Sequence, residues 1–433
     1  MCIRDSSRAV LEELAEVYGD ELPSVLRALA RPGRRYYLRV NTLKANREEV
    51  IERLRGKGLN ARADDSLPEA IYLPVEGPFK LPEAEKAIVV DKFAAESAMM
   101  GSHIYVPGVL SFRGVRRGDE VLVLSDRGQP VAFGVARMDE REFLRARRGL
   151  AVEVLRPLYR VPPIRELEEF KLGLIYPQSL PAMLTTRVLD PGPGELVVDM
   201  TCGPGGKLSH ICQLTANRAR VLAFDRSRHK VRETREVLAR LGCEAAVLRA
   251  DSRYLDVDYP FLVSRADRVL VDPPCSALGV LPKLYDLKSA KELASLTEYQ
   301  RQFLKVAAKL VRPGGVVVYS VCTMTVRECE GAVAFAVERL GLEVEEQPLY
   351  LASRGLPGLV RRAELLQRFH PHLHGAGYFI ARLRKPLNRH NNSSNGLKSS
   401  QSSSSNSKTI ALGGLRPCGG GVSFSLNGLG SDL

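Results

Sequence analysis

From about residue 176 the chain alternates short runs of β-branched and aliphatic residues with longer stretches of helical spacing. The short runs cover 196–199, 220–225, 246–251, 269–272 and 316–319, and each reads as a buried strand. Between them, 207–214, 227–241 and 297–311 repeat apolar residues at helical intervals. The last of these opens with Thr297 and Gln300 in capping-box spacing and stops at Pro313. Strand, loop and helix repeated in this way predict a doubly wound parallel α/β sheet, with a closing strand at 377–383.

The first half follows other rhythms. Val10, Leu11, Leu14, Val17, Val25, Leu26 and Leu29 predict helix over 8–29, 36–40 reads as strand, and 42–54 as a helix ended by Gly56 and Gly58. A strand at 70–73 precedes Pro74, so 8–85 is expected to be a small α+β unit. Its basic residues, Arg39, Lys44, Arg47, Arg53 and Arg55, are expected on a solvated face. Over 86–160 the segments shorten: 106–109, 118–124 and 131–136 alternate with turns such as 125–128, the pattern of a hairpin-rich β-barrel. The sheet-forming region then occupies 161–386. Residues 387–433 are Asn, Ser and Gly without periodicity and are expected to be a disordered tail. Residues 1–7 carry no periodicity, and no element is expected there.

A length of 433 residues with 45% hydrophobic content fits two or three globular domains. No run approaches 18 apolar residues and no signal-peptide pattern opens the chain, so a cytoplasmic protein with no membrane partner is expected. The eight Cys form no C-x-x-C pair and no finger-like spacing with His, so neither a metal nor a disulfide framework is expected. Cys212 and Cys243 read as buried core thiols, and His370, His372 and His374 as surface residues beside Pro371. The net charge of +13 favours a polyanionic partner. Over 101–160 there are eleven Arg and no Lys against seven acids, and Arg is the better fork for phosphate.

The ends of the runs carry the chemistry. Four end in Asp199, Asp225, Asp251 and Asp272, and the fifth ends just before Cys322, so all five converge on the edge of the sheet where ligands bind. Between Asp199 and Lys207 lies a Gly-rich turn, Met200-Thr201-Cys202-Gly203-Pro204-Gly205-Gly206. Leu208 breaks both the dinucleotide and the P-loop patterns, which points to a nucleoside ligand without phosphates, S-adenosylmethionine being the common one. Asp225 is then placed for ribose hydroxyls and Asp251 for the adenine amino group. Asp272-Pro273-Pro274-Cys275 adds a second thiol where amino methyltransferases carry an aromatic residue. Two thiols and a carboxylate beside a methyl donor suggest methylation of carbon. C5 of a pyrimidine is a poor nucleophile, and thiolate attack at C6 with help at N3 makes it enamine-like. Asp272 is therefore expected to carry or share a proton, with a raised pKa, and Cys322 to be activated as thiolate.

At these residues the sequence resembles the Nol/Nop/Sun (RsmB-like) family of RNA cytosine-5 methyltransferases. Asp-Pro-Pro-Cys-Ser-Ala at 272–277 is similar to the family's Asp-x-Pro-Cys-Ser-Gly, and Tyr-Ser-Val-Cys-Thr at 319–323 to its Tyr-Ser-Thr-Cys-Ser/Thr. Residues 204–207 match the end of Cys-Ala-Ala-Pro-Gly-Gly-Lys, while Thr201, Cys202 and Gly203 depart from it. Glu328-Cys329-Glu330 stands where Glu-Asn-Glu is usual, and 38–44 resembles the family's N-terminal region. The resemblance implies a class I methyltransferase fold with an inserted PUA domain at 86–160. It implies Cys322 as the nucleophile, Cys275 as the thiol that assists product release, and residues 201–207, Asp225, Asp251 and Asp272 around S-adenosylmethionine. The insertion marks the subgroup that acts on the tRNA acceptor stem and grips the CCA end, and a monomer is expected. The competing readings are an rRNA cytosine-5 methyltransferase, a non-catalytic RNA-binding or assembly factor with the same fold, and an amino methyltransferase, which leaves Cys322 without a role.

Overall fold

The computed structural model describes residues 6–387, so the tail expected to be disordered lies outside the described residues from 388 onward. Two-sided burial explains the continuous apolar runs. β1 (Leu196–Asp199), α1 (Gly206–Leu214), β2 (Arg220–Asp225), α2 (Arg228–Leu241), β3 (Ala246–Arg249), β4 (Ala266–Val271), α3 (Ala290–Leu310), β5 (Val311–Val321), α4 (Glu330–Leu340) and β6 (Tyr378–Arg384) follow one another along the chain. The strands lie in the order β3-β2-β1-β4-β5-β6, continued by Gln367–Phe369 and Ser353–Arg354. The first five are parallel and β6 is antiparallel to β5. Leu208 and Ile211 of α1 and Leu238 of α2 cover one face with Val197, Val221, Val316 and Val318. Phe303 and Leu304 of α3 and Val333 of α4 cover the other with Val198, Val269, Val317 and Tyr319. β5 thus sends alternate side chains into two cores, as a strand covered by helices on both faces must. Strand order reverses between β1 and β4, which opens a crevice at their carboxyl ends.

Several boundaries differ from the sequence expectation. α3 begins at Ser289, whose side chain and that of Glu292 form the capping box, whereas Thr297 lies inside the helix and donates to the Leu293 carbonyl at 3.1 Å. The Pro-Gly-Gly segment does not interrupt the sheet. β5 starts at Val311, and a register shift against β4 between Ala266 and Arg268 absorbs the extra residues.

The N-terminal helical stretch breaks at Gly19 (φ 45°) into Arg8–Tyr18 and Leu22–Leu29. The next helix, Arg47–Gly56, is capped by Asn46, which accepts from the Glu49 amide, so it starts later than Thr42 and includes Gly56. Arg35–Val40, Ala70–Pro74 and Arg62–Ala63 form a four-stranded sheet completed by Ile175–Pro177 from the far side of the β-rich insertion. The insertion itself is a six-stranded sheet that includes Lys86–Val90, Glu120–Ser125, Pro130–Ala136 and Leu150–Pro157. Within it Val106–Gly108 is a 3-10 turn rather than a strand, because Pro107 donates no ladder hydrogen bond. Among the described residues no helix is long and apolar enough to cross a membrane.

Candidate active site

β4 ends at Val271 and β5 at Val321, and the loops that follow bring their thiols together: Cys275 Sγ lies 3.4 Å from Cys322 Sγ. The turn after Cys275 is clamped to the start of β6. Gly279 donates to the Cys322 carbonyl and accepts from the Gly377 amide at 2.9 Å, and a Cβ at residue 279 would sit 1.9 Å from the Gly377 oxygen. Glycine is required there by the close approach of two backbones.

Asp272, one residue past β4, is held by three side chains. Lys207 Nζ donates to Oδ2 at 2.6 Å, Ser320 Oγ to Oδ1 at 2.9 Å, and the Tyr378 hydroxyl to Oδ1 at 3.4 Å. Burial pulls the Lys207 ammonium down, but the Asp272 charge and the hydrogen bonds to Asp272 and Tyr378 outweigh it and hold Lys207 above its ordinary value. Lys207 Nζ is thus a protonated donor held against the Asp272 carboxylate. For the thiols the contact between them is the main cause: it pushes Cys322 down and Cys275 up. Burial and the Asp272 charge oppose the thiolate on Cys322 while Lys207 favours it, and burial and the charge of Glu328 oppose it on Cys275.

The Gly-rich turn between β1 and α1 borders a cavity of about 190 Å³ lined by Asp199, Thr201, Cys202, Gly203, Lys207 and Asp272 together with Pro204, Gly206, Tyr176 and Gln178. Thr201 ties the turn to the neighbouring strand end, donating to the Asp272 carbonyl at 2.9 Å and accepting from its amide at 3.2 Å. Gly205 caps α1 with φ of 102°. A Cβ at Gly203 would meet Lys230 Cβ at 2.7 Å and Asp225 Oδ2 at 2.9 Å, so only glycine lets the turn lie beside that carboxylate. Asp199 is 1% exposed, and burial together with its neighbours Asp272 and Asp225 holds its carboxyl up at about 7 against a stabilising bond from the Thr201 amide. A small crevice with a glycine cradle and acids at the strand ends fits a cationic sulfonium nucleoside, and it fits no polyphosphate.

Asp225 and Asp251 lie on the same edge without lining that cavity. Asp225 accepts from the Ser227 amide at 2.8 Å, which leaves Oδ2 beside the glycine turn. Asp251, two residues past β3, is paired with Arg253 through both oxygens at 2.6 and 2.9 Å. Cys212 and Cys243 are buried, as expected. His370, His372 and His374 are half-buried rather than on the surface: the Tyr18 hydroxyl bonds His370 Nδ1 at 3.0 Å, His372 Nε2 lies 3.2 Å from Glu21, and His374 Nδ1 accepts from the His370 amide.

Arg39 corrects the expectation of a solvated basic face. It is fully buried beneath the turn, where it donates to the Gly206 carbonyl at 2.6 Å, to Ser209 Oγ and to Gln178 Oε1. Beside it Glu69 receives a fork from Arg187 at 2.9 and 2.5 Å and faces His210 Nε2 at 2.9 Å. Burial drives His210 down to about 4, so it is neutral, while Glu69, though burial pushes it up, is held low by His210 and Arg187. Sequence reasoning also missed Tyr378, Ser320 and Glu328. Ser320 and Glu328 stand inside the quoted motifs, and Tyr378 opens the closing strand.

Beyond this edge a cleft of about 800 Å³ is lined by Arg31, Arg34, Arg35, Tyr159, Leu281 and His372, among others, where the N-terminal unit, the β-rich insertion and the catalytic region meet. All eleven Arg of 101–160 are exposed, and among the described residues only Arg117 and Arg137 of them pair with a carboxylate.

The sheet order, the glycine turn and the acids at the strand ends define a class I methyltransferase. Comparison with known proteins carries this to a family. Residues 186–384 match the profile described as 16S rRNA methyltransferase RsmB/F, 86–158 a PUA domain, and 9–80 an RsmF/B-like ferredoxin-like domain. The chain is 41% identical over 385 residues to a tRNA (cytosine(72)-C(5))-methyltransferase of Pyrococcus horikoshii, covering 86% of this chain and 96% of that one. To the human tRNA (cytosine(72)-C(5))-methyltransferase NSUN6 it is 28% identical, covering 80% and 82%. The crystal structure of NSun6 from Pyrococcus horikoshii with SFG, an analogue of S-adenosylmethionine, superposes with a TM-score of 0.81 at 40% identity, covering 89% of this chain and 99% of that one. The chain belongs to the RsmB/F (Nol/Nop/Sun) family of RNA cytosine-C5 methyltransferases, carries a PUA domain, and takes its methyl group from S-adenosylmethionine.

Proposed function

We propose that the chain methylates C5 of a cytidine in the acceptor stem of tRNA, position 72, through a covalent bond between Cys322 Sγ and C6 of the base. The observation that carries this reading is the thiol pair at 3.4 Å beside the Lys207–Asp272 pair, at the mouth of the donor crevice. When bound, the donor supplies an electrophilic sulfonium methyl. Cys322, favoured as thiolate by Lys207 and by its bond from Cys275, attacks C6. Lys207 and Asp272 hold the proton that N3 needs as charge builds there, and Ser320 and Tyr378 fix the Asp272 carboxylate for that task. C5 then carries the electron pair that takes the methyl group. Transfer of the C5 proton to water restores the C5–C6 double bond and expels Cys322 as thiolate, which Cys275 stabilises by hydrogen bonding.

Residues 201–207, Asp225 and Asp251 hold the nucleoside part of the donor in this reading, with Asp225 Oδ2 toward the ribose. The protein works as a cytoplasmic monomer. Residues 8–85 and 86–160 grip the RNA, 161–386 perform the chemistry, and the PUA domain takes the CCA end. The free arginines of the insertion and the basic cleft support a polyanion running from the PUA domain toward Cys322. The names of the similar proteins support position 72.

An rRNA cytidine is the second reading, favoured by the description of the matching catalytic profile. Methyl transfer to unmodified tRNA with cytidine or uridine at position 72, beside an rRNA fragment of equal length, separates the two. The first reading expects 5-methylcytidine at position 72 of the cytidine tRNA alone. Transfer to the rRNA fragment alone would overturn it.

A further inference from the structure

The loops behind the thiols contain an ionisable group that the mechanism above leaves unused. Glu328 is fully buried. Its Oε1 accepts from the Ser276 amide at 2.8 Å and from Gln300 Nε2 at 2.8 Å, and its Oε2 faces Ser276 Oγ at 2.5 Å and Thr325 Oγ1 at 3.0 Å. An amide N–H and a carboxamide N–H can only donate, so Oε1 is held as an acceptor. Among the described residues no Lys, Arg or His pairs with this carboxylate. The other buried acid of the segment, Glu330, has the Arg368 fork at 2.7 and 2.5 Å. A buried carboxylate satisfied only by neutral donors costs stability, and the structure places that cost directly behind Cys275, whose following residue, Ser276, makes two of the contacts.

The two sides of the thiol pair are therefore unlike. Lys207 and Asp272 pair on the Cys322 side, so a cation and an anion lie together there. Glu328, the Tyr319 hydroxyl and the buried Cys329 thiol lie behind Cys275, where no cation balances the carboxylate. Gln300 braces the arrangement from α3, donating also to the Pro274 carbonyl at 3.2 Å and accepting from the Tyr319 hydroxyl at 3.1 Å.

We infer that Glu328 is a positioning residue that keeps the proton of the thiol pair on Cys275, so that the thiolate forms on Cys322. Two neighbouring thiols with one proton between them could ionise at either sulfur. Uncompensated negative charge behind Cys275, against a compensated Lys207–Asp272 pair beside Cys322, breaks the tie before RNA arrives. Glu328 also fixes the Cys275 backbone, through its two contacts with Ser276. The retained Cys275 S–H then faces Cys322 both as it attacks and as it leaves. The inference rests on the Cys322 reading above and adds a cause for it.

Alkylation by iodoacetamide without RNA, with the modified residue identified by mass spectrometry, reads the proton's place directly. The wild type is expected to label at Cys322 in preference to Cys275. Glu328→Gln, which keeps size and removes charge, is expected to lower the Cys322:Cys275 labelling ratio at least fivefold, and to lower kcat at least tenfold with KM for RNA and donor within twofold. Glu328→Asp, which keeps the charge, is expected to retain the Cys322 preference. An unchanged labelling ratio in Glu328→Gln would overturn the inference. Should that variant fail to fold, the wild type still decides: labelling of Cys275 equal to or above that of Cys322 overturns the inference as well. Failure of the underlying reading has a different signature, because it removes RNA adducts at Cys322 while leaving the labelling ratio in the absence of RNA untouched.

Discussion

The catalytic edge and the joint beneath the glycine turn both bury charged groups, and they treat them in opposite ways. At the joint, Arg39 binds Gln178, Ser209 and the Gly206 carbonyl, while Glu69 is closed off by Arg187 and a neutral His210. At the edge, Asp199 is buried without a cation of its own, Lys207 and Asp272 pair beside an open crevice, and the two thiols lie 3.4 Å apart. Arg39 Nε, Gln178 Nε2 and His210 Nδ1 of the joint have no partner, so what separates the two places is access: Arg39, Glu69 and His210 are buried, whereas Lys207 and Asp272 line a crevice that a substrate can enter. The joint belongs to stability and the edge to chemistry.

Mutations at the two places should therefore separate two kinds of loss. The largest effect is expected at the edge. Cys322→Ala should lower methyl transfer on the order of 10⁴-fold or more, measured as methyl incorporation, while the denaturant midpoint stays that of the wild type. A parallel loss of stability would show that Cys322 is structural. At the joint the pattern reverses. Glu69→Gln leaves the Arg187 charge without its carboxylate and should cost about 3 kcal/mol of folding stability, read by urea unfolding, with kcat preserved where both proteins are folded. Arg39→Met should cost roughly 2 kcal/mol by leaving the Gly206 carbonyl and Ser209 short of a donor. Since Arg39 also braces the turn, KM for the donor should rise with it.

A smaller effect tests the open side through pH. Asp199 is held up at about 7 against an ordinary 3.8, so between these values the native state keeps a proton that the unfolded chain has lost. Its contribution to stability is full below the lower value and gone once pH passes the upper one, a fall of up to about 1.4 kcal/mol per pH unit between them. Urea unfolding of the donor-free protein should show stability dropping from pH 5.5 to 7.5, and Asp199→Asn should flatten that drop. An equal slope in the variant would place the titration elsewhere.

The same contrast explains what the sequence made legible. The edge could be read because its chemistry demands particular residue types at strand ends: Asp199, Asp225 and Asp272 follow apolar runs, and Cys275 and Cys322 sit in short motifs that local pattern exposes. The doubly wound sheet followed from the same runs. The joint could not be read, because Arg39 meets Ser209 across 170 positions and Glu69 meets His210 across 141, and no local rhythm marks such a pair. By local pattern Arg39 is one basic residue among several. Only the return of Ile175–Pro177 to the N-terminal sheet, a tertiary event, lays the Arg39 strand against α1 and buries it. The start of α3 was misplaced for a local reason, since Thr297 and Gln300 imitate the capping box that Ser289 and Glu292 form.

The division of labour between the two thiols is tested most directly by trapping. Cys275→Ala, incubated with tRNA bearing cytidine at position 72 and with S-adenosylmethionine, should accumulate a covalent protein–RNA adduct stable to denaturation. The adduct should map to Cys322 and be absent from Cys275→Ala/Cys322→Ala. An adduct that survives in the double variant, or that maps to any residue other than Cys322, would contradict the account.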